Sequence, residues 1–228
     1  MRILVVCGLN REAAIAAGPD IVVVAGGGSR GALQTRLAAL GDAPVRAVIS
    51  FGLAGALVPG LKPGAIILPG RVLAPDGTEF EADSSILARW HRVLDTPGGH
   101  PVSTTSMPDL AGSDIPLLER SAKRALAFGG GSAVDMESHV AATYAKSRGL
   151  PFAALRVISD GANRDLPPAA GAAMRPDGSI DIGAVLGSIL RKPDQIPALL
   201  RTARDAGRAF ATLGRVRGLL GPRLGLDL

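Results

Sequence analysis

A single α/β domain, with a central mixed β-sheet flanked by helices, is the fold class the sequence predicts. Three observations lead there. Apolar runs short enough for strands alternate with stretches of helical composition. One run, Phe152 to Ile158, is apolar almost throughout, as strands buried on both faces are. Thirty glycines with only 3% aromatics describe a core of Ala, Val, Leu and Ile closed by tight turns. With 228 residues, 47% of them hydrophobic, the chain can bury one good core and demands no second domain.

In order, Arg2 to Cys7 reads as a first strand leaving through Gly8 to Glu12, and Asp20 to Ala25 as a second. Gly26-Gly27-Gly28-Ser29-Arg30-Gly31 then leads into a helix over Ala32 to Leu40. This turn matches G-x-G-x-x-G, but it follows the second strand, and Arg46 stands about 20 residues on, where a dinucleotide site needs an acid. Two readings stay open: a tight turn only, or an approach to phosphate by Gly27 with Arg30 assisting. Arg46 to Phe51 is a third strand, and Gly52 to Ala56 beyond it offers bare backbone to a ligand. Gly64 to Ala74 forms the next strand or hairpin, and Ser84 to Val93 a helix in an otherwise irregular stretch, 75–113. Asp114 is placed to cap a helix over Ile115 to Leu126.

The next stretch carries the chemistry. Asp135, Met136 and Glu137 open a helix running from Met136 to Arg148, with Gly149 as its stop and Pro151 just beyond. Glu137 falls in its first turn. The strand Phe152 to Ile158 ends abruptly in Ser159-Asp160-Gly161, and ligands of open α/β sheets collect at such carboxyl ends. Residues Asn163 to Asp181, rich in Pro, Ala and Gly, have the composition of a lid over a site, with Met174 as its largest apolar residue. From Pro193 the chain is helical, with apolar residues at 196, 199, 200, 203, 206, 210 and 213 and Arg201, Arg204, Arg208 and Arg215 on another face.

Charge is unevenly placed. The net +5 comes from residues 191–228, with 8 Lys/Arg against 3 Asp/Glu, whereas residues 1–190 balance at 17 and 17. A nucleic-acid partner is not expected, because no recognisable module and few stacking aromatics accompany the excess. The basic helix covers the sheet with a solvated side or lies against anionic headgroups; both readings stand. One cysteine, Cys7, excludes a disulfide framework, and His91 and His100 have no second ligand at helical spacing, so no metal is expected. The N-terminus lacks the h-region of a signal peptide, and no run approaches the roughly 20 apolar residues of a membrane span. A cytoplasmic protein is expected.

AVDMES, then a helix, then LPFAALRVISDGA closely resembles AVEMEA…PFxxxRxISDxA of the methylthioadenosine/S-adenosylhomocysteine nucleosidases and the wider purine nucleoside phosphorylase superfamily. AVDMESHVAA, LRVISDGANRDLPPAA and RPDGSIDIGAVLGSIL are more similar still to its hopanoid-associated branch, which removes adenine from adenosylhopane. The resemblance implies a phosphorylase/hydrolase-like fold and cleavage of the N-glycosidic bond of a 5′-modified adenine nucleoside. It casts Asp160 as the general acid toward adenine N7, oriented by Ser159. Glu137 would bind the ribose hydroxyls with Met136 beneath the sugar, and Asp135 replaces the usual Glu. Glu12, just after the first strand, stands where the nucleosidases place the acid that activates water. SFGLAGAL is similar to the TGSAGGL loop that contacts the nucleoside through backbone groups, which brings in Ala54 and Gly55. A base-binding loop should fall within Thr104 to Gly112, and Asn163 stands where an Asp is common.

The resemblance leaves water and phosphate both open as the attacking species. Ser50 and Leu53 stand where bacterial phosphorylases carry Arg and Ser for phosphate, which favours hydrolysis. Arg30, Gly27 or Arg156 would supply a phosphate contact by another route. The resemblance further implies no cofactor beyond phosphate as co-substrate, a homo-oligomer, and, if the 5′ group is a lipid, peripheral contact with the inner membrane surface. A non-catalytic nucleoside sensor is the alternative from another class, and a dinucleotide oxidoreductase on Gly26 to Gly31 a third.

Overall fold

The structure is a computed structural model and describes residues 2–95, 108–172, 179 and 181–226. Its centre is four strands whose side chains alternate between two faces. They are β1 (Arg2–Cys7), β2 (Ile21–Ala25), β3 (Val45–Ala56) and β9 (Phe152–Asp160). β1 pairs in parallel with β2 on one edge and β3 on the other, and β3 pairs in parallel with β9. The sheet continues through short strands: β4 (Ile66–Ile67), β5 (Arg71–Leu73), β6 (Glu79–Glu81), β7 (Leu110–Gly112) and β8 (Ala133–Asp135). Among these, β4 runs antiparallel to β9, β8 antiparallel to the end of β3, and β6 antiparallel to β5. The result is a mixed sheet of nine strands among the described residues, flanked by helices.

Odd-numbered residues of β1 and their neighbours Ile49, Phe51, Leu155 and Val157 face α3 (Ser84–Leu94) and α8 (Ile196–Leu220), where Trp90, Phe210, Leu213 and Val216 close the layer. Leu4, Val6, Val48, Ala154 and Ile158 face the opposite way, onto α2 (Arg30–Ala38) and α5 (Ser138–Ser147). Burying the larger of these side chains contributes about 1.5–3 kcal/mol each. Trp90 also donates its indole N–H to the Leu224 carbonyl at 2.7 Å, so the C-terminal segment is fastened beside the same layer.

Several boundaries differ from the sequence expectation. β3 does not stop at Phe51 but runs to Ala56, because Gly52 and Gly55 still pair with Arg156 and Asp160 of β9. Glu12 is not on an exit loop: it lies in α1 (Asn10–Ala16), in the first turn. The helix expected over Ile115 to Leu126 is only α4 (Arg120–Ala127), and Asp114 does not cap it. Asp114 instead meets Arg30 Nη1 and His139 Nε2, each at 3.0 Å, while the first N–H of α4 is accepted by Asp165 at 2.7 Å. α5 begins at Ser138 and not Met136, since Ala133–Asp135 is drawn into the sheet as β8. Of the expected lid, residues 163–172, 179 and 181 are described, with α6 (Pro168–Ala172) among them and Asp181 capping α7 (Ile182–Arg191); Met174 lies outside the described residues, as do 104–107 of the base-binding loop. Pro193 opens a short 3-10 turn, Pro193–Gln195, and α8 follows it.

Candidate active site

Three strand ends and one helix start bring the predicted residues together. Glu12 comes from α1 beyond β1, Ala54 and Gly55 from the end of β3, Asp135 to Glu137 from the β8–α5 junction, and Ser159 and Asp160 from the end of β9. All of them line one cavity of about 390 Å³. Met136 is on its wall.

At one end the acids crowd. Glu12 is 3% exposed, and its carboxylate accepts the backbone N–H groups of Gly8 and Leu9, each at 2.8 Å, and of Leu53 at 2.7 Å. Three amides fix its position. Glu137 lies beside it, with Asp135 behind, and the cation serving all three is Arg156, which is wholly buried. Arg156 forms an ion pair with Asp135, lies 3.9 Å from Glu137, and donates to the hydroxyls of Ser50 and Ser138. Its Nη1 has no protein partner although it is buried.

Three carboxylates cannot all be ionised around one guanidinium without strong repulsion. Burial, countered by Arg156 and reinforced by Asp135 and Glu12, pushes the Glu137 carboxyl up to about 8. Burial likewise raises Glu12 above the usual carboxylate range, with Arg156 and the three amides holding it back. Raising the carboxyl in this way makes Glu12 a stronger base toward a bound water than a surface glutamate is.

At the other end stands Asp160, 7% exposed. Ser159 donates its hydroxyl to Asp160 Oδ1 at 2.7 Å, with the Ala54 carbonyl as a second acceptor at 3.2 Å. Opposite is Lys123 from α4, 1% exposed, ion-paired with Asp160. Sequence reasoning missed this lysine, because one Lys between Arg120 and Arg124 reads as part of a solvated helix face.

Each acid leans on a glycine. A Cβ at Gly8 would lie 2.8 Å from Glu137 Oε1, one at Gly52 would lie 2.6 Å from both Glu12 Oε1 and Arg156 Nη1, and one at Gly55 would lie 3.2 Å from Asp160 Oδ2.

The remaining wall is apolar. Ile115 to Leu118 supply one side, Leu166 and Ala170 another, and Leu199, Ala203 and Phe210 of α8 a third. The segment before α4 is held in place by the contacts of Asp114 with Arg30 and His139.

The residues named for phosphate do not join this cavity. Arg30 is paired with Asp114, and Gly27 donates its N–H to the Gly8 carbonyl at 2.8 Å while Gly26 donates to Cys7 at 2.7 Å. Arg156 lies beneath the floor, held by Asp135, Ser50 and Ser138. The amides of the glycine turn fasten it to β1, and Ser29 caps α2. No group of three or more metal-ligating side chains occurs among the described residues.

A sequence model of the phosphorylase superfamily matches residues 10–174. The chain belongs to the phosphorylase superfamily. Solved structures share this phosphorylase fold at low identity. The methylthioadenosine/S-adenosylhomocysteine nucleosidase of Helicobacter pylori, bound to a pyrrolidinol ligand, aligns at a TM-score of 0.66 with 15% identity over 96% of this chain and 97% of its own. The nucleosidase of Colwellia psychrerythraea, in complex with adenine, gives 0.64 and 17% over 98% and 96%. Futalosine hydrolase of Helicobacter pylori gives 0.63 and 16% over 93% and 97%. No curated protein sequence matches this member of the phosphorylase superfamily.

Proposed function

We propose that this protein cleaves the N-glycosidic bond of a 5′-modified adenine nucleoside with water, releasing adenine. The observation that carries the reading is the convergence of Glu12, Glu137 and Asp160 on one cavity, with two acids at one end and one at the other. Breaking a purine–ribose bond needs a proton for the departing base and a nucleophile for the cation-like sugar. Asp160 serves the base, Glu137 holds the ribose hydroxyls above Met136, and Glu12 activates the water. Binding alone would not need three buried acids, which weighs against a nucleoside sensor. Similarity of fold to nucleosidases, one of them holding adenine, agrees with this assignment.

Water is favoured over phosphate because Arg30 and Gly27 are engaged elsewhere and Arg156 does not line the cavity. The apolar walls from Ile115 to Leu118 and from α8 suit a large apolar 5′ group, such as the hopane of adenosylhopane. Ile182, Leu186 and Leu190 form an exposed stripe on α7, with Ile196 and Leu200 nearby in sequence and Arg191, Lys192, Arg201 and Arg204 among them. That combination suits an anionic membrane face from which such a substrate would be drawn. No helix among the described residues is long and apolar enough to cross a membrane.

The test is adenine release from methylthioadenosine and from a long-chain 5′-alkyl adenosine, with and without phosphate, the latter substrate also presented in anionic and in neutral vesicles. Release that ignores phosphate, favours the alkyl compound in anionic vesicles and vanishes in Asp160→Asn is expected. A requirement for phosphate would replace hydrolysis with phosphorolysis, equal turnover of both compounds would sink the apolar 5′ pocket, and indifference to vesicle charge would sink the membrane contact.

A further inference from the structure

Lys123 is a buried ammonium that no role assigned so far uses. Its Nζ touches three acceptors: the Asp160 carboxylate, the Gly161 carbonyl at 3.1 Å and the Arg164 carbonyl at 3.4 Å. Three acceptors match its three protons, so the amine sits in a socket shaped for the charged form. With Oδ2 accepting from Lys123 and Oδ1 from Ser159, Asp160 is hydrogen-bonded as the form that carries no proton of its own. That is the wrong form for an acid that must give a proton to a departing base. The conflict is resolved if the lysine holds that proton.

Resting on the acid role of Asp160 proposed above, we infer that Lys123 supplies, through Asp160, the proton that leaves with the purine. The balance closes as follows. Lys123 gives one proton to the Asp160 carboxylate, and the resulting acid gives a proton to a nitrogen of the purine as the C1′–N9 bond breaks with its electron pair staying on the base. The water oxygen bonds to C1′, and Glu12 takes a water proton. Lys123 is left as an amine and Glu12 as an acid until product leaves and solvent returns the proton from one to the other.

Two further observations support the route. Ser159 has one hydroxyl proton and two acceptors, Asp160 Oδ1 and the Ala54 carbonyl. It can donate to Asp160 when the carboxylate is charged, then turn to Ala54 and accept from Asp160 when the carboxyl is protonated, so both forms are hydrogen-bonded. Lys123 is 1% exposed and Asp160 faces a cavity with apolar walls, so a substrate filling that cavity separates the acid from bulk water. The proton then has to come from within the site.

Lys123 acts through Asp160 and is therefore a positioning residue, which the pH profile distinguishes from a structural prop. The turnover number for methylthioadenosine would be measured in the wild type, Lys123→Met and Lys123→Arg, with thermal unfolding as a folding control. With Met in place of Lys, Asp160 must take its proton from solvent; turnover should stay within about fivefold of wild type near pH 5.5 and fall at least about tenfold further by about pH 8, with KM little changed. Lys123→Arg keeps the charge but a guanidinium does not release its proton, so it should lose about 10²-fold or more across the range. A Met variant equally impaired, or unimpaired, at every pH would overturn the inference, and so would an Arg variant as active as wild type. If Lys123→Met does not fold, the Arg variant alone decides. Asp160→Asn separates the two levels: retained activity there, or an inactive wild type, removes the acid assignment and this inference together, whereas a dead Asp160→Asn beside a fully active Lys123→Arg removes only the inference.

Discussion

The two ends of the cavity bury charge in opposite ways. Near Glu12, Arg156 is the cation that Asp135, Glu137 and Glu12 share; near Asp160, one carboxylate meets one ammonium. One carboxylate facing one ammonium is balanced in number, whereas three carboxylates around one guanidinium, together with burial, push Glu137 up to about 8. The crowded end is thus suited to holding a proton, and under the inference above the balanced end changes state by moving a proton between its partners. Composition is similar at the two ends; stoichiometry separates them.

Removing the shared cation should break the comparison most severely. Arg156→Met leaves the carboxylates of the crowded end without a counter-charge, with an expected loss of about 3–5 kcal/mol of stability in urea unfolding at neutral pH. A loss below about 1 kcal/mol would mean that these acids are neutral in the folded protein and need no cation. Next in size is Glu12→Gln. An amide in place of the carboxylate must set its NH2 against at least one of the N–H groups of Gly8, Leu9 and Leu53, so about 1–3 kcal/mol of stability should be lost along with adenine release. Unchanged stability would show that the three amides are not the support they are taken for.

The smallest effect per step is a pH slope. Glu137 is raised from 4.5 to about 8 in the folded protein, so the folded state binds its proton more tightly than the unfolded chain does. Its contribution is fully present below pH 4.5 and is lost as pH rises through about 8, and Glu12, raised by burial, adds in the same sense. Urea unfolding should therefore show stability declining from about pH 5.5 to 8.5, and Glu137→Gln should flatten that decline. A slope that Glu137→Gln leaves intact would place the stored proton on another group.

Much of this contrast was legible in the sequence, and what was missed has physical reasons. Asp160 could be placed because Phe152 to Ile158 is apolar almost throughout and ends in polar residues, a pattern that suits a central strand. Glu137 could be placed from the motif around it. Glu12 was legible as an acid but not as a helical one: α1 has seven residues and opens on Leu9, which lacks a capping side chain, so Glu12 closes the first turn by reaching back to the backbone itself. The extension of β3 through Gly52 and Gly55 was hidden because glycine weakens a strand signal, and only pairing with β9 reveals it. Lys123 could not be found locally at all. Its partner is 37 residues away, and its helix is anchored by Asp165 from the loop that follows Asp160.

The glycines packed against the acids bear on how such a site could be moved to another scaffold. Grafting Glu12, Glu137 and Asp160 alone would displace an acid wherever the host carries even an alanine at the position of Gly8 or Gly52, where the methyl group would crowd a carboxylate oxygen, and would press on Asp160 at the position of Gly55. The transferable unit is each acid together with the bare backbone opposite it. In a survey of tolerated substitutions Gly52 and Gly8 would score more harshly than Gly55, and a search for chemistry by residue type would pass over all three.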